Sequence, residues 1–262
     1  MLIFNDITHS TEEKLSVTLQ RFQDTKKMRS IFLTLFTLLL PLTWLIESKA
    51  ETVVAETPCD STETTRYERL FHEMHLDSIV NYTAFEQAVE GYEKIQNKKR
   101  PVLTLIDFSK PSTEKRLYVF DMEGKKLLYS SVVAHGKNSG GKYATSFSNK
   151  NGSLKSSLGF YLTGTTYQGR NGYSLILDGL EKGVNDQARS RAIVVHGADY
   201  ANPEVAKSGR LGRSFGCPAL PRALTRPIID AIKGGSVLFI YAEKQDYLAQ
   251  SSILHSHNHD IL

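Results

Sequence analysis

Two spacings of apolar side chains divide the sequence. Between residues 64 and 97 they recur at helical intervals, first Tyr67, Leu70, Phe71 and Met74, then Phe85, Val89, Tyr92 and Ile95 after a break at Asn81-Tyr82-Thr83. This spacing predicts two amphipathic helices, the second capped near Thr83, with Glu86 three residues on at the interval of a capping box. Lys98-Lys99-Arg100 and Pro101 end the unit. Beyond Pro101 the pattern shortens to runs rich in Val, Ile, Leu, Tyr and Phe at 102–108, 116–122, 126–134, 159–166, 173–177, 191–196 and 236–241, with Gly, Asn and Ser between them. Such runs predict strands, with Glu123-Gly124 as a hairpin turn between the second and third. Helical spacing returns at 222–233, where Ile228, Ile229 and Ile232 share a face and Gly234-Gly235 stop the helix. The fold expected is mainly β (α+β): a curved β-sheet or sandwich with a short N-terminal helical accessory.

One apolar run has a different meaning. Residues 31–46, IFLTLFTLLLPLTWLI, follow Lys26, Lys27 and Arg29 and precede Ser48-Lys49-Ala50. A basic segment, an apolar stretch and a small-residue site describe a secretory signal peptide cut after Ala50, with Met28 as the natural start. The rival reading is a single uncleaved anchor, because the run is close to the shortest that spans a bilayer. The organisation expected is an N-terminal extension and signal at 1–50, a leader at 51–63, a helical accessory at 64–100, a catalytic domain at 101–243 and a tail at 244–262. Export places the mature chain in the periplasm or cell envelope, with membrane contact only through an uncleaved signal.

Composition narrows the choice further. With 40% hydrophobic and 23% charged residues the chain is neither disordered nor fibrous. Its net charge of +4 falls to +3 once the six basic and five acidic residues of 1–50 are removed, too mild a balance to predict nucleic-acid binding. No phosphate-cradling glycine loop is present, so no nucleotide cofactor is expected. His255, His257 and His259 alternate near the C-terminus, where a frayed end is a better reading than a metal site, and no metal is expected.

There are two cysteines. Cys59 lies in a polar leader and reads as an incidental thiol, because a bridge to Cys217 would silence the more interesting sulfur. Cys217 sits in Gly212-Arg213-Ser214-Phe215-Gly216-Cys217-Pro218, where Gly216 leaves the sulfur open to approach. A thiol needs a base, since the thiolate is the nucleophile. His196 ends an apolar run, and Gly197 then turns the chain toward the cysteine segment 21 residues from His196 to Cys217. His135, which also follows an apolar run and precedes a glycine, competes for the role of base, and His196 is preferred as the nearer. The pair is a candidate Cys/His acyl-transfer site.

These residues resemble the L,D-transpeptidases with a YkuD-type catalytic domain, in particular an exported murein branch whose cysteine motif carries a bulky aromatic. The similarity extends to Asp107-Phe108-Ser109-Lys110-Pro111-Ser112, Ala134-His135-Gly136-Lys137-Asn138-Ser139-Gly140, Phe147-Ser148-Asn149, Ser156-Ser157-Leu158-Gly159-Phe160-Tyr161 and 191–198. Two departures stand out: Phe215 occupies the place of the family's motif histidine, and Pro218-Ala219 replace the usual Arg or Asn after the cysteine. The resemblance implies that Cys217 attacks a peptidoglycan stem tetrapeptide, with His196 as base then acid, the Gly197 carbonyl fixing the imidazole, and amides around Gly216 and Cys217 forming an oxyanion hole. Arg213, Ser214, Gly216 and His135 are the candidate substrate-binding residues, Arg213 standing in for the missing anchor. Tyr167, Asn138 and Ser139 are cleft candidates for which a structural role is the better reading, and 199–212 is a candidate lid. The implied partners are stem peptides and a wall-anchored acceptor protein. Hydrolysis of the same thioester and a non-catalytic peptidoglycan-binding module are the alternatives.

Overall fold

The computed structural model describes residues 65–254, so the signal segment, Cys59 and the C-terminal histidines lie outside the described residues. Helix α1 (Arg66–Glu73) starts at Thr65, whose hydroxyl accepts the Glu68 N–H, and helix α2 (Tyr82–Lys94) starts at Asn81, whose side chain accepts the Ala84 N–H. The cap of α2 is therefore Asn81 and not Thr83, which already lies in the first turn, and Glu86 accepts the Tyr82 hydroxyl. Phe85, Ala88 and Val89 face the sheet from α2. Gly91 lets the backbone of α2 descend onto Phe160, because a Cβ there would lie 2.0 Å from the ring.

One eight-stranded sheet holds the core: β1 (Val102–Asp107), β2 (Leu117–Asp121), β3 (Lys126–Ser131), β4 (Gly159–Gly169), β5 (Gly172–Gly179), β6 (Val194–Gly197), β7 (Ala219–Leu220) and β8 (Val237–Tyr241), in the order β3-β2-β1-β8-β4-β5-β6-β7. The β1/β8 and β6/β7 pairs are parallel and the others antiparallel. β1 and β8 are buried along their whole length, β8 as an unbroken apolar run and β1 with Thr104 and Asp107 among its apolar residues. The two edges of the sheet then approach each other. Just past β3, Ala134 exchanges N–H···O bonds of 2.9 and 3.2 Å with Ala219 of β7, and Gly136 bridges to Ser214. The sheet is thus a nearly closed, barrel-like surface, and the closure joins the His135 segment to the cysteine segment.

The run at 191–196 is a strand only from Val194. Ala192 has φ +53°, a left-handed turn that no apolar pattern announces, and Arg191 lies in that turn. Helix α3 (Pro203–Ala206) and a 3-10 turn at Asp199–Ala201 fill the segment after β6. Helix α4 (Arg222–Ile232) buries Ile228, Ile229 and Ile232 as expected. Residues read as tail carry helix α5 (Gln245–Gln250), which is docked through buried Tyr247. Its anchor is Glu181, buried with no cation beside it and accepting hydrogen bonds from Phe160 N–H, the Tyr247 hydroxyl and the Ser251 hydroxyl. Burial raises the Glu181 carboxyl above its ordinary value, against those hydrogen bonds.

Candidate active site

The cysteine loop has no regular structure, and side-chain hydroxyls supply what a ladder would. Ser214 donates its N–H to His135 O (2.9 Å) and accepts Lys137 N–H at its carbonyl (2.8 Å). Its Oγ donates to Cys217 O (2.6 Å) and accepts Gly216 N–H (3.1 Å). From the other side Ser156 Oγ donates to Gly216 O and accepts Gly136 N–H, both at 3.0 Å, while Ser139 Oγ accepts Ser156 N–H at 2.9 Å. Ser139, Ser156 and Ser214 are all buried. Three hydroxyls therefore hold the loop that carries the sulfur, a fully connected network of the kind that rigidifies a site. Gly216 serves this geometry: its φ is +129°, and a Cβ would meet Lys155 O at 2.8 Å and Ile193 Cδ1 at 3.0 Å. Its amide, expected in an oxyanion hole, is held by Ser214 Oγ.

Cys217 is a half-buried free thiol whose Sγ lies 3.6 Å from Ala192 O, the carbonyl of the left-handed turn. Burial pushes the thiol up, and the Val194 N–H, the Arg191 charge and the cysteine's own N–H oppose that rise. His196 sits on β6 opposite Ala219, two residues past the cysteine, and its N–H donates to Pro218 O at 3.4 Å. The ring is buried, with Nδ1 3.1 Å from Gly197 O. A carbonyl can only accept, so Nδ1 carries the proton and Nε2 presents the lone pair. Burial lowers the imidazole, Gly197 O opposing and the Arg222 charge assisting. Both shifts favour the neutral forms, a thiol and an imidazole.

His135 is engaged at both nitrogens. Arg116 Nη2 can only donate, which makes Nδ1 (2.8 Å) the acceptor and sends the Nε2 proton toward Gly140 O (3.4 Å). Burial and the Arg116 charge lower this ring to about 4. Arg116 itself is wholly buried, donating to Val133 O through Nε (3.0 Å) and Nη2 (2.7 Å) and to Lys110 O (3.0 Å). His135 therefore braces a buried cation beneath the segment that pairs with Ser214, and has no lone pair left to take a proton.

The remaining candidates separate by what they touch. Arg213 is exposed, and its Nη1 donates to Lys137 O and Gly140 O, both at 3.0 Å, clamping the 137–140 loop. Asn138 Nδ2 donates to Ser153 O, Ser139 is a buried hub and Tyr167 is exposed. Phe215 is the most exposed large apolar residue at 69%, with Lys137 Nζ 4.9 Å from its ring centre. The 199–212 segment is tied down at Gly212 N–H to Tyr200 O (2.8 Å) and Leu211 N–H to Ser112 Oγ (3.1 Å). The pairing of His196 and Gly197 with Ala219 and Leu220 sets their strand beside the loop of Ser214, Gly216 and Cys217, with His135 and Arg213 holding the adjoining loop. Sequence reasoning missed Arg116, Arg191 and Ser156. An arginine opening a strand-like run was the one available signal for the first two.

No curated protein sequence matches the chain. Among solved structures it is similar to an L,D-transpeptidase from Mycobacterium smegmatis (13% identity, 54% of this chain and 59% of that chain, TM-score 0.34). It is also similar to the helical cell shape determining protein Pgp2 from Campylobacter jejuni (14%, 59% and 54%, TM-score 0.38) and to L,D-transpeptidase 1 of Mycobacterium tuberculosis (14%, 54% and 61%, TM-score 0.30). The chain spans between about half and three fifths of the length of these relatives. The sequence model of the L,D-transpeptidase catalytic domain matches residues 76–241, which takes in every strand, the hydroxyl-held loop, His196 and Cys217. The chain therefore belongs to the L,D-transpeptidase catalytic domain family.

Proposed function

We propose that the protein is an exported peptidoglycan L,D-transpeptidase working through a thioester on Cys217. The observation that carries this reading is the contrast between the two histidines. Among the described residues His196 Nε2 has no hydrogen-bond partner, and its strand is paired to the cysteine segment, whereas both nitrogens of His135 are occupied. His196 Nε2 takes the thiol proton as sulfur attacks the carbonyl of the third residue of a stem tetrapeptide. The tetrahedral oxyanion collapses, the bond to the terminal D-Ala breaks, and its amine leaves with the proton from His196. An amine on a second stem, or on a wall-anchored protein, then attacks the thioester and restores the thiol. The Gly197 carbonyl holds the tautomer throughout, the part a carboxylate plays in other triads. With Gly216 N–H engaged, the Cys217 N–H is the nearer candidate for the oxyanion.

The test is to incubate the exported chain with purified tetrapeptide muropeptides and follow both the protein and the products by mass spectrometry. An acyl adduct on Cys217, free D-Ala and crosslinked dimers are expected. Tripeptides alone would convert the reading to hydrolysis, and binding without turnover would leave a recognition module.

A further inference from the structure

The reaction just proposed places a negative charge on Cys217, and one cation beside it pairs with no carboxylate among the described residues. Arg191 is half-buried, one residue before the Ala192 carbonyl that receives the thiol. Nη1 donates to Ser148 O (2.8 Å) and Ser157 Oγ (2.6 Å), and Nη2 to Lys155 O (2.6 Å) and Ser153 Oγ (3.3 Å). All four acceptors are neutral, and among the described residues no carboxylate pairs with this guanidinium. The same Nη2 reaches the cysteine loop, lying 3.4 Å from where a Cβ on Gly216 would stand. Two ionisable groups couple to it electrostatically, Tyr161 and Cys217. Tyr161 is fully buried, donates its proton to Ser157 O at 3.0 Å and is pushed well above its ordinary value, so it stays neutral. A cation withdrawn from water and left unpaired is costly. Here the charge is balanced only when Cys217 has lost its proton.

We infer that Arg191 is an electrostatic positioning residue, pinned by the 148–157 segment so that its fixed charge stabilises the Cys217 thiolate as His196 removes the proton. The inference rests on Cys217 being the nucleophile. It assigns Arg191 two linked tasks: four hydrogen bonds fix where the charge sits, and the absence of a carboxylate leaves that charge available to sulfur. Gly216 completes the device, because a side chain there would press on Lys155 O, the acceptor that holds Nη2, and come into contact with the guanidinium.

The test is the pH dependence of iodoacetamide alkylation at Cys217, read by mass spectrometry of the peptide that contains it, so that Cys59 does not interfere. Arg191→Gln and Arg191→Met should move the midpoint upward by about one pH unit, and below it should slow alkylation about tenfold. Ser157→Ala loosens the same segment with the charge retained, and should lower the melting temperature while leaving the midpoint in place. A neutral variant that is folded by circular dichroism and titrates with wild type overturns the inference. If neither neutral variant folds, Arg191→Lys decides: its displaced charge should raise the midpoint above that of Ser157→Ala, and equal midpoints reject the role. An unacylated wild-type Cys217 in the muropeptide assay would instead defeat the proposed function, leaving the alkylation result to stand or fall by itself.

Discussion

His196 and His135 differ in what their ring nitrogens touch, and exchanging each in turn should separate catalysis from stability. His196→Gln removes the Nε2 lone pair proposed to take the thiol proton, while its amide can still donate toward Gly197 O. Loss of a general base costs about 10²–10⁴ in rate. Loss of one ordinary hydrogen bond costs about 1 kcal/mol, worth roughly 2–4 °C in a domain of this size. Tetrapeptide acylation should therefore collapse in a protein that still melts near the wild-type temperature.

His135→Ala should do the reverse. It takes from the buried Arg116 Nη2 one of its two acceptors, leaving Val133 O alone. A lost hydrogen bond to a charged group costs about 1.5–3 kcal/mol before the vacated ring volume is counted. The pH dependence supplies an independent signature. The folded value of about 4 lies below the ordinary 6.5, so the unfolded chain takes up the proton first as pH falls. The stabilisation is full above 6.5, is lost progressively down to about 4, and at ~1.36 kcal/mol per unit amounts to about 3 kcal/mol. His196, also lowered, adds a slope of the same sign. Denaturant titrations at pH 7.5 and 4.5 should show His135→Ala less stable at neutral pH and less sensitive to acid. His135→Gln, whose amide can accept from Arg116 and donate to Gly140, should recover part of the loss. A folded His135→Ala without turnover, beside a His196→Gln that keeps a tenth or more of wild-type activity, would refute the assignment.

Three further outcomes follow from single contacts. Glu181 holds α5 as a buried carboxyl with a raised pKa, so the stability it supports is present below the ordinary carboxylate range and is lost as pH rises through the raised value. Glu181→Gln should flatten that decline between pH 5 and 8, whereas Glu181→Ala should free α5 to amide exchange; an unchanged slope in the glutamine variant argues against the buried charge. Gly91→Ala drives a methyl into Phe160, 2.0 Å from the ring carbon, and should cost about 1–3 kcal/mol in chemical denaturation, with unaltered stability counting against the close approach of α2. Gly216→Ala strains a backbone at φ +129° by roughly 1–2 kcal/mol and presses on Lys155 O, so acylation should fall much further than stability; activity within threefold of wild type would mean the loop tolerates displacement.

What the sequence made legible was the alternation of apolar runs and the candidates for the reacting atoms. Strands β1, β2 and β8 could be read because their content, rich in Val, Leu, Ile and aromatic residues, fits the inside of a sheet. Cys217 and His196 stood out as candidates because few residue types can do that chemistry. The frame around them was hidden for a physical reason. Arg116, Arg191, Arg213, His135 and His196 are all oriented in part by backbone carbonyls, and a carbonyl leaves no trace in residue identity. The turn at Ala192 that aims a carbonyl at the thiol, the two-residue strand β7 that closes the sheet, and the reach of Glu181 to Tyr247 across 66 positions all depend on where distant backbone lies. An arginine at the head of an apolar run reads as a solvated charge for the same reason. Only when the fold lays the 148–157 segment against it is that charge half-buried and held beside the cysteine loop, so residues such as Arg191 can be found only after the fold is known.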